Sequence, residues 1–297
     1  MSASPLPDPY AILKTLGVQT VHAVAQVTGG TDTALWRVEH DHQTSALRVF
    51  RSTQGAIYQR ELAAMEVAAR NGIPVPTIRA TAFWHERPAV LLSWCEGYPL
   101  AKALRQQPWQ LLRLGRTFGQ LQAAIHRIHD ITLPNTASTD WITWYQAVDR
   151  DLEVQLRKHA RPVQHLLHLD YHPLNVMMHH HGISCVLDWA NARTGDPRAD
   201  VARTYTILAV EPHFPGREPI WYQLIRRLLA QSWLYGYQTI AGKLSAMPLF
   251  FAWAGAVMRS DLAGRVDNPN SWWRPHHLAS IERWTQQWRQ HIPNQPT

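Results

Sequence analysis

The stretch from His168 to Trp189 concentrates the side chains with the clearest chemistry. It reads His168-Leu-Asp170-Tyr-His172-Pro-Leu-Asn175, then Val-Met-Met, a His-Gly turn, and Ile183-Ser-Cys-Val-Leu-Asp188-Trp189. An acid, an amide five residues later and a second acid thirteen residues after that suit phosphoryl transfer, which needs positioning and charge neutralisation more than covalent help. Asp170 can accept the proton of an attacking hydroxyl. Asn175 offers a neutral oxygen and Asp188 a charged one, and Mg²⁺ prefers hard oxygen ligands. Any one of these residues alone reads as an ordinary turn residue; the joint spacing carries the signal.

Val176–Met178 and Ile183–Leu187 fit the two strands of a hairpin turning at His180, His181 and Gly182, which would fold its two ends back together. Before this segment, residues 18–50 alternate apolar and polar positions around Gly29-Gly30, giving strands over Val18–Val27, Ala34–Val38 and Ala46–Phe50. A helix is expected from about Ile57 to Asn71, stopped by Gly72 and the Pro74-Val-Pro76 pair. Strands follow near Ile78–Trp84 and Ala89–Trp94. The pattern then reads helical from Leu100 to about Ile131, and again from Trp141 to Arg157. Short strands occupy 165–189, and helical patterns dominate beyond Asp200. The expectation is an α+β chain with a β-rich N-terminal lobe over 1–96 and a mainly helical lobe over 97–297.

Composition narrows the alternatives. The longest apolar stretch, Met247–Met258, is too short to span a bilayer, and Met1–Pro9 lacks a basic flank leading into an apolar core. Cys95 and Cys185 give no disulfide framework and no CxxC pattern. A cytoplasmic protein is expected. The net charge of +7 invites a nucleic-acid reading, but the charge is diffuse and almost all arginine, with lysine only at 14, 102, 158 and 243. A basic surface that attracts anionic metabolites is preferred, with neither nucleic acid nor membrane as partner. The histidines at 165, 168, 172 and 179–181 raise a zinc reading. Adjacent residues on a turn rarely converge on one metal, and no H-E-x-x-H pattern is present; His172 reads as a brace for the loop.

On these residues the chain resembles the aminoglycoside phosphotransferase and choline kinase-like enzymes. Their His-x-Asp-x-x-His-x-x-Asn loop corresponds to His168, Asp170, His172 and Asn175. Their metal-binding Asp is followed by an aromatic residue and a Gly-Asp-Pro-x-x-Asp stretch, here Asp188-Trp189 and Gly195-Asp196-Pro197-Arg-Ala-Asp200. The resemblance extends to Arg60-Glu61-Leu62, Ile73-Pro-Val-Pro76 and Leu92–Gly97, and so covers roughly residues 20–210.

The resemblance implies a protein-kinase-like two-lobed fold that uses ATP and Mg²⁺ to phosphorylate a hydroxyl of a small molecule. It implies Asp170 as general base and Asn175 and Asp188 as magnesium ligands. Glu61 would pair with the phosphate-binding basic residue of the third strand, and Ser93 and Cys95 would offer backbone groups to adenine. Thr31, Asp32 and Thr33 would lie in the loop covering the phosphates. Asp200 is expected to N-cap the following helix. One departure stands out: the third strand carries Arg48 where lysine is usual. Arginine keeps the charge but replaces a point charge with a planar fork. That leaves open a second reading, a nucleotide-binding pseudokinase with a regulatory role.

The tryptophans at 221, 233, 253, 272, 273, 284 and 288 are read as packing residues, a minority of which could line a pocket. Between Tyr205 and Pro275 the acids are Glu211, Glu218, Asp261 and Asp267, against seven arginines and lysines. That balance argues against a polycationic acceptor, whose ammonium groups would need carboxylates to offset desolvation.

Overall fold

The computed structural model describes residues 7–27, 33–134, 140–180, 182–210, 220–266 and 273–292. In chain order these form α1 (Pro9–Thr15), β1 (Val21–Gln26), β2 (Ala34–His40), β3 (Gln43–Val49), α2 (Gly55–Arg70), β4 (Ile78–Trp84), β5 (Arg87–Ser93), β6 (Tyr98–Pro99), α3 (Leu100–Gln106), α4 (Leu111–Ile125), α5 (Arg150–His159) and β7 (His165–Leu167). There follow β8 (Val176–His179), β9 (Gly182–Val186), β10 (Arg193–Gly195), α6 (Pro197–Ala209), α7 (Ile220–Ala241), α8 (Met247–Val266) and α9 (Pro275–Gln290). The chain divides into two compact units, Met1–Tyr98 with Met177–Ala190, and Pro99–Val176 with Asn191–Thr297.

In the first unit an antiparallel five-stranded sheet has the order β1-β2-β3-β5-β4, which makes β3 the central strand. Side chains alternate faces along a strand. Leu47 and Val49 of β3 therefore join Ile12, Leu13, Trp36, Val38, Ala89 and Leu91 in a buried cluster beneath α1, and Arg48 is left on the opposite face. Helix α1 escaped the periodicity reading because it is only seven residues long. Its signal is local: Asp8 caps it by accepting the N–H of Tyr10 at 3.0 Å, and Pro9 starts it. On α2, Glu61, Ala64, Met65 and Ala68 share one buried face, so the carboxylate sits in an apolar stripe.

The expected hairpin is present as β8 and β9, turning through His180 at φ 53°. His181 lies outside the described residues. Gly97, at φ 105°, lies so close to the backbone of Met178 that a Cβ would collide with its carbonyl oxygen. Cys95 and Cys185, which sequence spacing left unpaired, are joined as a disulfide with their Cα atoms 6.1 Å apart. Ninety residues separate them, so only the return of β9 beside the end of β5 brings them together.

In the second unit α4 packs along α7, with Gly119 of α4 against the Trp233 carbonyl. A larger cluster joins Trp141, Trp144, Leu152, Leu167, Leu169, Phe250 and Trp253. Two helical expectations need correction here. The span 100–131 is two helices broken at Gln107-Pro108, because Pro108 supplies no N–H and Gln107 leaves the helical region at φ −133°. The second ends at Ile125, before a turn. Likewise, the span 141–157 is α-helical only from Arg150, where Asp149 accepts the N–H of Leu152, with a single 3-10 turn at Trp144–Gln146 before it. Upstream, Tyr145 and Gln146 adopt positive φ, which interrupts the helix. Among the described residues, no helix is long and apolar enough to cross a membrane.

Candidate active site

In the first unit, β3 and α2 bring Arg48 and Glu61 together. Arg48 Nη1 donates to Glu61 Oε1 at 2.5 Å, and Nη2 lies 3.7 Å from Asp188 Oδ1. Its Nε donates to Thr33 Oγ1 at 3.0 Å. One guanidinium thus spans three of the residues singled out in the sequence. Burial pushes the Glu61 carboxyl up to about 7 in spite of Arg48, whereas Arg48 keeps its charge beside two carboxylates. Asp188 holds its backbone at φ 60°, with its carboxylate 45% exposed. A non-glycine residue in that region costs on the order of 1–3 kcal/mol and persists where its surroundings over-determine it. Part of that support is Arg60, whose Nε and Nη2 donate to the Ala190 carbonyl at 3.3 and 2.8 Å. Trp189, fully buried, donates Nε1–H to the Val186 carbonyl.

At the end of β5, Ser93 exchanges hydrogen bonds with Thr77: its N–H reaches the Thr77 carbonyl, and its Oγ accepts the Thr77 N–H, both at 2.8 Å. The Ser93 N–H is therefore already committed within the sheet. Cys95 lies two residues on, bonded to Cys185. Gly29, Gly30, Thr31 and Asp32 lie outside the described residues.

In the second unit the catalytic-loop candidates converge. Asn175 Nδ2 donates to the Asp170 carbonyl oxygen at 3.0 Å and to Asp170 Oδ2 at 3.2 Å. His172 Nδ1 lies 3.2 Å from the Leu174 nitrogen, and its Nε2 lies 3.2 Å from Asn175 Nδ2 and 3.7 Å from Asp170 Oδ2. Burial works against the charge on Asp170, but His172, Arg203 and His168 outweigh it and hold the carboxyl well below the usual carboxylate range. Asp170 is thus an ionised, quarter-exposed carboxylate.

Asp200 does not cap the following helix. Asp196 caps α6, accepting the Arg198 N–H at 3.0 Å, with Pro197 in the first position. Asp200 is instead fully buried within α6. Its Oδ2 accepts the N–H of His168 and His126 Nε2, each at 2.9 Å, and its Oδ1 accepts the N–H of Leu169 at 2.8 Å. The loop that ends in Asp170 is suspended from this one carboxylate. Leu169, at φ 61° and fully buried, needs such restraint. Tyr171, on the other side of Asp170, stacks on Phe118 with ring centroids 4.4 Å apart and donates its hydroxyl to the Phe118 carbonyl.

Sequence reasoning also passed over Tyr145. Burial, then Asp261 with which its hydroxyl is hydrogen-bonded, pushes the phenol up to about 12, so it remains a donor at neutral pH. Both Asp170 and Arg203 act on it electrostatically.

An antiparallel sheet with one buried carboxylate helix, followed by a mainly helical unit carrying an Asp–Asn loop, defines a protein-kinase-like α+β fold. The comparisons agree. The profile described as "Phosphotransferase enzyme family" matches residues 23–231, and the chain belongs to that family. Solved structures similar to it include aminoglycoside phosphotransferase APH(4)-Ia, a thermostable mutant in a ternary complex with ADP and hygromycin B. That pair has a TM-score of 0.64 at 15% identity, covering 93% of this chain and 97% of the other. Spectinomycin phosphotransferase APH(9)-Ia, in complex with ADP and spectinomycin, has a TM-score of 0.57 at 12% identity over 94% and 92% of the two chains. Plasmodium vivax ethanolamine kinase has a TM-score of 0.56 at 12% identity over 94% and 85%. At these identities the structures speak to fold alone. No curated protein sequence matches the chain.

Proposed function

We propose that this phosphotransferase moves the γ-phosphoryl group of ATP, with Mg²⁺, onto a hydroxyl of a small molecule. The observation that carries the reading is the Asp170–Asn175 pair. Asn175 spends its amide nitrogen on Asp170, which leaves its carbonyl oxygen for a cation that prefers hard oxygen ligands. Asp188, half-exposed and opposed only at 3.7 Å by Arg48, is a second fitting donor. Asn175 and Asp188 are each proposed as a magnesium ligand, and the charge such an ion supplies would be set against the phosphate oxygens.

The chain's own groups supply the remaining steps. Asp170, already ionised, accepts the hydroxyl proton as the acceptor oxygen bonds to the γ-phosphorus and the bond to the β-phosphate oxygen breaks. Arg48, oriented by Glu61, contributes fixed positive charge toward the phosphates. Thr33 steadies that guanidinium. Hygromycin B, spectinomycin and ethanolamine kinase name the ligands or activity of the structural neighbours, small molecules in each case.

The acceptor is proposed to be neutral, anionic or singly charged. Among the described residues of α7 and α8, Asp261 is the only acid, and it already faces Arg265 at 3.5 Å as well as Tyr145. A polycation would find little to offset its desolvation there. Coupled ADP release across aminoglycosides, choline, homoserine, simple sugars and nucleosides, with a mass check of each product, tests both statements. Efficient phosphorylation of an aminoglycoside would overturn the second while upholding the first.

A further inference from the structure

Arg203 sits on α6, three residues after Asp200, and is only 3% exposed. Its Nε donates to the carbonyl oxygen of Leu169 at 3.4 Å, while Asp200 Oδ1 accepts the N–H of the same residue at 2.8 Å. Residues three apart share a helix face, so α6 grips Leu169 by both of its backbone groups. The guanidinium carbon lies 5.5 Å from the centroid of the Trp144 ring. Among the described residues Nη1 is buried without a hydrogen-bond partner, and no carboxylate forms an ion pair with Arg203. A buried cation without such a partner costs several kcal/mol, and methionine could fill the same volume. Packing alone does not call for arginine here. The charge does reach one functional group, the Asp170 carboxylate.

We infer that Arg203 is a positioning residue of the phosphotransfer loop, fixing the Leu169 carbonyl so that, together with Asp200, it aims Asp170. The inference rests on the phosphotransferase reading and acts through Leu169 and Asp170. Its sequence position hides it, since an arginine in the middle of a helix ordinarily reads as solvated surface.

The test compares the full chain with its Arg203→Lys, Arg203→Gln and Arg203→Met variants. Three quantities are read: Mg-ATP turnover with water or the best acceptor, affinity for a fluorescent ADP analogue, and amide exchange over residues 165–176. Arg203→Met should lower kcat about 10–100-fold, the scale of a misaligned reacting group. Its KM for ATP and its ADP affinity should stay at the parent values, and exchange should quicken at residues 168–171. Arg203→Lys should recover part of the turnover and Arg203→Gln less, which keeps the test intact if the methionine variant does not fold. Parent-like turnover in the methionine or glutamine variant, or lysine no better than glutamine, would overturn the inference. So would a loss carried by ATP affinity with unchanged exchange. A parent that turns over no ATP with any acceptor sinks the phosphotransferase reading instead, and the exchange measurement still decides whether Arg203 anchors the loop.

Discussion

Arg48 Nη1 meets Glu61 Oε1 at 2.5 Å, and the other oxygen of Glu61, Oε2, is buried with no hydrogen-bond partner among the described residues. The carboxylate is held against a low-dielectric face of α2 by one guanidinium. Burial therefore wins, and its pKa rises from the ordinary 4.5 to about 7.

That rise has a defined sign. Between pH 4.5 and about 7 the folded state keeps a proton on Glu61 that the unfolded chain releases. The Glu61 contribution to stability is therefore greatest below the lower value and falls as pH rises through the upper one. Glu61→Gln removes that slope, so the Tm difference between the variant and the parent should change steadily across this window. Parallel Tm–pH curves would show that Glu61 titrates normally. Protonation also dissolves the ion pair with Arg48, so the parent's KM for ATP should rise as pH drops below 7, and the glutamine variant's should not.

Arg48 itself should tolerate lysine better than methionine. If position 48 supplies charge to the phosphates, Arg48→Met loses a charge-assisted contact and raises the KM for ATP about tenfold. Arg48→Lys remains active with a smaller rise, because the two-way contact to Glu61 and Thr33 needs the planar fork. Steady-state kinetics with varied ATP decide it; identical parameters in both variants would remove Arg48 from the site.

Asp188→Ala should abolish the magnesium dependence of nucleotide binding, since among the described residues the other carboxylate acting on Arg48, Glu61, is already engaged with it. Titration calorimetry of ATP with and without Mg²⁺ measures this. An unchanged magnesium effect in the variant would take Asp188 out of the metal site.

Asp200→Ala should be among the most damaging single changes in the second unit. It strips the acceptor from two backbone N–H groups and from His126, all buried. Removing one partner of such a buried network costs about 3–5 kcal/mol. Thermal unfolding provides the readout, and a Tm equal to the parent's would mean that the loop does not depend on this carboxylate.

The legibility of the sequence follows the range of each interaction. The β8–β9 hairpin and the Asp170–Asn175 contact are local, separated by a few residues, and their spacing could be read directly. Helix boundaries near Pro108 and Asp149 were blurred because apolar periodicity continued across them, although proline and a capping aspartate marked the breaks. Asp200 was expected to cap α6, but Pro197 in the first helical position marks the residue before it, Asp196, as the cap. Arg60 and Arg203 could not be recognised, because what distinguishes them from surface arginines is a carbonyl 130 or 34 residues away. The Cys95–Cys185 pairing has the same origin: no local pattern announces a contact across 90 residues.

Asp170→Asn offers the most direct test of the central claim, that Asp170 takes the acceptor's proton and does not bind the nucleotide. The measurement pairs kcat for ADP release, with the best acceptor from the panel, with calorimetric affinity for Mg-ATP. Asparagine preserves the shape and the contact with Asn175 but cannot take the proton, so kcat should fall about 10³-fold, within the range of a lost general base, while Mg-ATP affinity stays at the parent value. Parental turnover by Asp170→Asn, or a loss explained wholly by weaker Mg-ATP binding, would contradict the account.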